Sequence, residues 1–519
     1  MKHPLIPITW ALIAILLSGC GQKDTPAAPE PEGDYFRRIQ IDAYYRLIGD
    51  GAIENPDSYL AGMYRFTRDE QGRVQQVDYV DNGQPTADPS FGIATVKFEY
   101  TDSTERRSHY DGRGQATRDK TGVHAIVLPV NEEGHRTGYR NYDAAGNATI
   151  DNSMAAEHRW TLDDKGRRIE AERLDLNGQQ VTDADGVTIV RWKYDDQDNV
   201  IESSNHGFDG SLVLGQSGFA VIEMEHDEHG RVTESRMYGR NREPTAVGPG
   251  LHMYRFKYDQ WGNRIERRGY DVDARIMPNN YGIAIYQREF DGRGLVVEER
   301  YLNVNEELQS GAEGVARVVY SYDDTGRQTE LAYYDAHGKP TSDAQGVAIY
   351  RRNYDDSGNP VSETFHGPDG ELINNRLGFA EVQHVWDGDG NEVSLSYHGI
   401  DGELAVPRNR DVARYERKYN DAGNPVEERR FGVDGKLKND KNGMAIVRWK
   451  YDIMGNRTEV AYFDIDGNPV EDPENGAAVI RLEYDEGGEV VSTVGLDAEG
   501  DTITPPEQDT PQIRVEPRK

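Results

Sequence analysis

His226-Asp227-Glu228-His229 sets two imidazoles and two carboxylates within four residues, a donor set suited to zinc or another transition metal. Asp387-Gly388-Asp389-Gly390-Asn391 offers an oxygen-rich loop of the kind that holds calcium. It lacks the spacing and terminal Glu of an EF-hand loop. Gly215-Gln216-Ser217-Gly218 places a hydroxyl between glycines, as a nucleophile turn would. His206, His366 and His398 each open a His-Gly-x-Asp-Gly stretch. No phosphate loop, Cys nucleophile or isolated pair of carboxylates accompanies them.

All of these stretches belong to one period. Tyr194, His226, Tyr258, Phe290, Tyr322, Tyr354 and Trp386 follow one another at steps of 32 residues, and the series runs from Arg68 to Tyr484 with single slips to 30 or 33. Such a period means a stacked array. Four residues after this marker position stands Gly, as at Gly262 and Gly455, with Thr104 and Asp198 departing. Another Gly stands eight residues before it, as at Gly346 and Gly476. Asp452 to Gly455 and Asp464 to Gly467 both read as turns, because Asp caps the backbone two residues on and Gly accepts the left-handed conformation. The pieces between turns alternate. Ala445, Val447, Trp449 and Tyr451 share one face, and Ile446, Arg448 and Lys450 the other. Glu170, Glu234, Glu330, Glu427 and Glu459 hold one offset, and Arg191, Arg255, Arg351, Arg448 and Arg481 another. Cross-strand pairing of the two sets predicts solvated ionic ladders.

The repeat thus reads as strand, turn, strand, turn, short extended piece and Gly. It predicts an all-β fold: tandem 32-residue repeats forming a continuous, twisted, largely antiparallel sheet array, spiral or shell-like. A parallel β-solenoid is the alternative. Within this frame His226 is a marker residue and His229 lies inside a turn, so the two rings need not converge. Asp387 and Gly390 are ordinary turn residues, and Gly218 is the ordinary repeat Gly. The reading is of a protein with no catalytic residues, no cofactor and no metal. The 30 Tyr against 12 Phe suggest rings that pack while their hydroxyls reach water, or a face that stacks on sugars or grips a protein.

Two resemblances sharpen this. Tyr-Asp-x-x-Gly-Asn or Tyr-Asp-x-x-Gly-Arg followed by a strand, as at 258–264, 322–327 and 451–457, looks like the YD repeat of Rhs-type proteins. That resemblance implies a β-sheet shell that encloses or displays cargo. The repeat here is longer than the typical one, and no toxic domain follows it. At the other end, Lys2 and His3 precede an apolar run closed by Leu17-Ser18-Gly19-Cys20, which resembles the lipobox of bacterial lipoproteins. This implies cleavage before Cys20, a diacylglycerol on its thiol and, with Gly21 rather than Asp following, export to the outer membrane. Cys20 is the sole Cys, so the exported chain has no disulfide to draw on.

The expected organisation is a signal peptide at 1–19, a lipidated flexible tether at 20–33, an N-terminal cap or incomplete repeat at 34–62, the repeats at 63–502 and a Pro-rich tail at 503–519. The stretch DYFRRIQIDAYYRL at the start of the cap reads as a short helix or an edge strand. With 92 Asp and Glu against 59 Lys and Arg, nucleic acid and anionic lipid surfaces are excluded as partners. The function that follows is a membrane-anchored, non-catalytic scaffold of the bacterial cell envelope. It would bind an unknown protein or glycan through an acidic, Tyr-rich β surface. The alternatives are a passive spacer or Rhs-like shell component and a calcium-binding surface protein.

Overall fold

The computed structural model describes residues 33–503 apart from 82, 249, 312, 453–454 and 485–489. Cys20, the segments assigned to signal peptide and tether, Gly488 and all but the first residue of the tail lie outside the described residues. The chain forms two compact units. One is built on Ala28–Gly326 with Tyr334–Lys339, the other on Arg327–Tyr333 with Pro340–Lys519.

Both units are all-β. The described residues contain no α-helix, only a single 3-10 turn at Pro56–Ser58. One repeat of the C-terminal unit shows why. Ile446–Tyr451 pairs antiparallel with Arg457–Phe463, in the register Ile446↔Phe463 and Lys450↔Glu459, with a bulge between Lys450 and Tyr451. The second strand then pairs antiparallel with the first strand of the next repeat, Glu459↔Arg481 and Ala461↔Val479. Both pairings, within a repeat and between repeats, are antiparallel, so the parallel β-solenoid is excluded. The alternating residues split as the sequence predicts. Met444, Val447, Val460 and Tyr462 form a buried cluster with Trp449 and Val470, while Arg448 and Lys450 are exposed on the other face. Burial of each large side chain contributes roughly 1.5–3 kcal/mol.

Among the described residues three turns recur from repeat to repeat, one more than the sequence pattern reveals. Gly455 N–H donates to Asp452 O at 3.1 Å and Gly467 N–H to Asp464 O at 3.1 Å. The Gly eight residues before the marker closes a third turn of the same kind, as where Gly443 N–H donates to Asp440 O at 3.0 Å. Asp198, one of the two departures, adopts the left-handed conformation despite its Cβ, at φ 66°. Around Thr104 the hairpin is tighter. Thr101 N–H donates to Thr104 O at 2.9 Å and Tyr100 faces Glu105, so no bulge and no left-handed residue are needed.

The marker Tyr has a specific task. Its hydroxyl donates to a backbone carbonyl 26 or 27 residues earlier: Tyr194 to Arg168 at 2.6 Å, Tyr258 to Val232 at 2.8 Å, Tyr484 to Arg457 at 2.9 Å. The Trp386 indole N–H makes the same bond to Pro360 at 2.8 Å. Phe, as at Phe290, cannot make it, which accounts for the prevalence of Tyr at this position. These hydroxyls reach backbone rather than water, and burial pushes Tyr100 and Tyr322 up to about 12. An Arg after the turn stitches neighbouring repeats. Arg231 Nε donates to Asp227 at 2.7 Å and its Nη1 to Asp259 O at 3.2 Å, while the guanidinium lies 5.0 Å over Tyr258.

The stretch 34–47 is strand on both sides of a tight tip. Asp34–Ile41 pairs with Leu47–Ala52 and, on its other edge, with Met63–Arg68. The tip, Asp42 to Arg46, is closed by Asp42 Oδ1, which accepts from Tyr44 N at 3.0 Å and Arg46 N at 2.8 Å. This hairpin is more than an end cap, because it crosses several later repeats of its own unit. Ala43 O accepts from Arg168 N at 3.0 Å, Tyr44 Oη donates to Asp198 at 2.9 Å, and Leu60 N donates to Arg293 O at 3.0 Å. Gly294 and Gly326 are approached by the Tyr59 ring and Leu60 Cβ closely enough to leave no room for a Cβ, and Gly262 lies under the Arg38 guanidinium.

Candidate functional site

The metal and nucleophile candidates do not assemble. His226 packs as a marker residue on the apolar face, where burial lowers its pKa. His229 is exposed on the turn, 3.7 Å from Glu228. Among the described residues no group of three or more His, Cys, Asp or Glu is placed to hold a metal ion. Asp387 Oδ1 accepts from Asp389 N at 3.0 Å and Asn391 N at 2.9 Å, so its carboxylate is occupied by its own turn. Gly215 and Gly218 close a third turn, with Gly218 N–H donating to Gly215 O at 2.8 Å.

The His-Gly-x-Asp-Gly stretches are turn staples. His206 Nδ1 lies 2.9 Å from Gly210 O and its Nε2 3.0 Å from Ser204 Oγ. His366 repeats this with Gly370 O at 3.1 Å and Thr364 Oγ1 at 2.9 Å, and His398 with Gly402 O at 3.0 Å and Ser396 Oγ at 2.9 Å. A carbonyl only accepts, so Nδ1 carries the proton and Nε2 accepts from the hydroxyl. The neutral ring is the one that fits. Burial lowers the pKa of His206 and His366, aided by Arg191 and Arg351. Above the ordinary His range both folded and unfolded rings are neutral and the full stabilisation is present. Below about pH 6.5 the unfolded chain takes up protons first and stability falls. The melting temperature of the native chain is therefore expected to drop more steeply from about pH 7 to pH 5.5 than that of His206→Tyr/His366→Tyr. Tyr is the residue other repeats use there. Equal slopes would show that the rings are not held neutral.

The ionic ladders form as the sequence predicts. Arg191 meets Glu170 at 2.6 Å, Arg255 meets Glu234 at 2.5 Å and Arg448 meets Glu427 at 2.9 Å. They are less solvated than expected, since Glu202, Glu234 and Glu266 are buried. Burial alone would raise Glu266, yet Arg268, Gln287 and Lys257 together hold it at about 2. Each such carboxylate is neutralised where it stands, so this face is not the free acidic surface. The marker rings are no freer, since Arg73 covers Tyr100 at 4.4 Å and Arg167 covers Tyr194 at 5.0 Å.

A row of second-turn tips, by contrast, is accessible. The residue after the first turn position is apolar and exposed in repeat after repeat: Leu176, Phe208, Val272 and Val304 in the N-terminal unit, Ile400, Val433 and Ile465 in the C-terminal one. Phe208, Ile400 and Val433 are each 59% exposed. Beside them stand acids whose charge is fixed by the turn. The Gln179 amide holds the Asp175 carboxyl below its usual range, the Ser211 hydroxyl and amide do so for Asp209, and the Asn468 side chain and amide for Asp464. Among the described residues these three acids form no ion pair. With two strands per repeat, neighbouring tips stand roughly 10 Å apart. The row is legible in the sequence as an apolar residue between turn-forming ones, as in Asp464-Ile465-Asp466-Gly467, where a polar residue is the norm.

Turns and pairing together define a tandem-repeat β protein with a periodic surface row. No family model matches the chain, and no curated protein sequence does. Among solved structures it is similar to a TcdB2–TccC3–TEV chain at 12% identity and TM-score 0.31, covering 84% of this chain and 25% of that one. A Photorhabdus luminescens Tc holotoxin pore gives 12% identity and TM-score 0.18, covering 84% and 27%. A porin-like protein from Bacteroides uniformis gives 12% identity and TM-score 0.16, covering 57% and 85%. The chain spans about a quarter of the length of the Tc toxin chains it matches.

Proposed function

We propose that this chain is a non-catalytic repeat scaffold of the bacterial cell envelope, anchored through a lipid on Cys20, that binds a protein partner along its second-turn row. The observation that carries the reading is the run Ile400, Val433 and Ile465, exposed apolar side chains at one repeated position. A solvated turn has no structural need of them. An extended partner with apolar side chains at matching intervals and basic groups between them would meet both the tips and their ionised neighbours. The marker Tyr rings, bonded to backbone and covered by Arg, are poor platforms for a glycan, so a protein is favoured over a sugar.

One experiment with two variants tests both halves. The native protein is expected in the membrane fraction, with the Cys20 peptide carrying the mass of a diacylglycerol, and Cys20→Ser is expected in the soluble fraction. Ile400→Ser/Val433→Ser/Ile465→Ser is expected to stay on the membrane and to melt like the native chain, each exposed change costing no more than about 0.5 kcal/mol. It should also lose at least about tenfold in the saturable capture of the protein that the native chain cross-links. Undiminished capture by the triple variant would move the site off the row. No saturable capture by the native chain would leave the passive spacer.

A further inference from the structure

Three arginines on the face of the marker rings are each answered by a glutamate directly across their hairpin. Arg288 faces Glu299, Arg352 faces Glu363 and Arg417 faces Glu428, with Nε to carboxylate distances of 2.6, 2.6 and 3.0 Å. The repeat just before the first of these pairs reverses the arrangement. At the place of Glu299, Glu363 and Glu428 it carries Arg267, which faces Phe256 on one side and Tyr286 on the other. Arg267 lies 4.3 Å over the Tyr286 ring and 5.6 Å over that of Tyr254. Arg264, at the hairpin bulge, reaches the same face and lies 5.3 Å over the Phe256 ring. The Tyr254 and Phe256 rings are stacked 6.1 Å apart, so the two guanidinium groups are neighbours.

Among the described residues neither Arg264 nor Arg267 has a carboxylate partner. In a chain with 92 acidic residues against 59 basic ones, two adjacent cations left unanswered are a departure. Burial lowers the pKa of Arg264, and repulsion from Arg267 and Arg288 adds to the effect. The residue is nevertheless exposed, so it stands in an open recess rather than in the core. The N-terminal segment bounds this recess at its turn end. There Arg38, itself paired with Asp50 at 2.9 Å, covers Gly262, and the Tyr59 ring meets Gly294. The aromatic floor returns part of the cost through cation–π contact, but a ring carries no full negative charge.

We propose that Arg264 and Arg267 form a binding site for an oxyanion, a phosphate or carboxylate group that takes the place of the missing glutamate. Guanidinium groups donate in planar pairs that match either group. Arg288 stays on Glu299, which leaves two cations for the ligand. The rings of Tyr254, Phe256 and Tyr286 beneath them exclude water from one side and strengthen the attraction.

Equilibrium dialysis of the full chain tests this, with labelled inorganic phosphate in one arm and labelled acetate in the other, both in chloride at fixed ionic strength. The native chain is expected to take up one saturable equivalent. Arg267→Leu and Arg264→Gln install residues that a later repeat carries at the same places, Leu331 and Gln328. Each is expected to weaken binding at least about tenfold. Arg159→Gln, at an exposed arginine of another repeat, is expected to bind as the native chain does. Arg267→Glu supplies the carboxylate that Arg264 lacks. It is expected to abolish binding and, without added oxyanion, to melt above the native chain. Saturation by phosphate or by acetate supports the site and identifies the group it prefers. Absence of saturable binding in both arms would overturn the proposal, as would binding that survives both Arg267→Leu and Arg264→Gln.

Discussion

A chain lacking residues 355–386 is expected to fold, melt cooperatively and resist protease, while a chain lacking only 355–370 is expected to fail. The first deletion removes one full period. It joins Tyr354 to Asp387, and each keeps the repeat position it had, since Trp386 and Tyr354 are equivalent markers. The strand Ile349–Tyr354 then meets Glu392–His398 in place of Pro360–His366. Every backbone donor finds an acceptor, and side chains stay on their own faces. In an array of this kind stability is close to a sum of local terms, so the loss is that of one repeat. The second deletion removes Pro360–His366 and keeps the strands on either side of it, Ile349–Tyr354 and Glu381–Trp386. Both are first strands of a repeat and both have lost the same partner. The antiparallel alternation is broken, a ladder of N–H and C=O groups is left open, and each open buried group costs about 1–3 kcal/mol. Repair by slipping one residue would turn Tyr350 and Arg352 to the ionic face. Thermal melts and limited proteolysis of the two chains give the answer. Equal damage would mean that the repeats do not act as modules.

The legible part of this molecule is the part that repeats. Tyr451, Gly455, Asp464 and Gly467 show in the sequence because each recurs at a fixed step, and the pairing of Arg448 with Glu427 follows from two recurring offsets. The illegible part depends on bonds that join different periods or break the pattern. That Tyr194 bonds Arg168 O could not be read from spacing, because any residue supplies a carbonyl. The third turn stayed hidden because its first residue varies, as Asp440 in one repeat and Gly215 in another. The His206 staple needs Ser204 two residues before and Gly210 four after, a pattern visible only once the ring's two partners are known. The hairpin tip at Ala43 to Tyr45 is unique in the chain, and nothing in its own residues points to Trp160 or Asp198 more than a hundred residues away.

That tip carries the second large effect. Glu105→Ala is expected to lower the stability of the N-terminal unit by about 3–5 kcal/mol, because it strands the buried Arg107 guanidinium and the partly buried Arg136 one. Glu105 is 2% exposed. Its Oε1 accepts from Arg107 Nε at 2.7 Å and its Oε2 from Arg136 Nε at 2.9 Å. Arg107 Nη2 in turn donates to Tyr45 O at 2.5 Å, and Arg136 Nη1 reaches Tyr44 O at 3.5 Å. The Tyr45 ring lies 4.5 Å from Trp160 and stacks on Tyr139 at 5.6 Å. Without the carboxylate, both guanidinium groups must draw in water, and the hairpin loses the donors that hold its tip. The Arg73–Asp69 pair at a turn, at 2.7 Å, is the comparison, and Asp69→Ala is expected to cost clearly less than Glu105→Ala, since no buried cation is stranded. A local readout separates loss of the clamp from general weakening. Arg46 sits at the tip, and trypsin is expected to cut after it in Glu105→Ala under conditions that leave the native chain and Asp69→Ala intact. Survival of that bond, or a loss below 1 kcal/mol, would show that the cluster does not hold the hairpin. The consequence reaches the proposed anchor. Were the proposed anchor at Cys20 to carry load, the pull would enter the described fold at Asp34, on a strand that would peel from Met63–Arg68 if pulled alone. With the tip fixed at Arg107, Arg136 and Trp160 and the following segment fixed at Arg293, the pull is shared among several repeats.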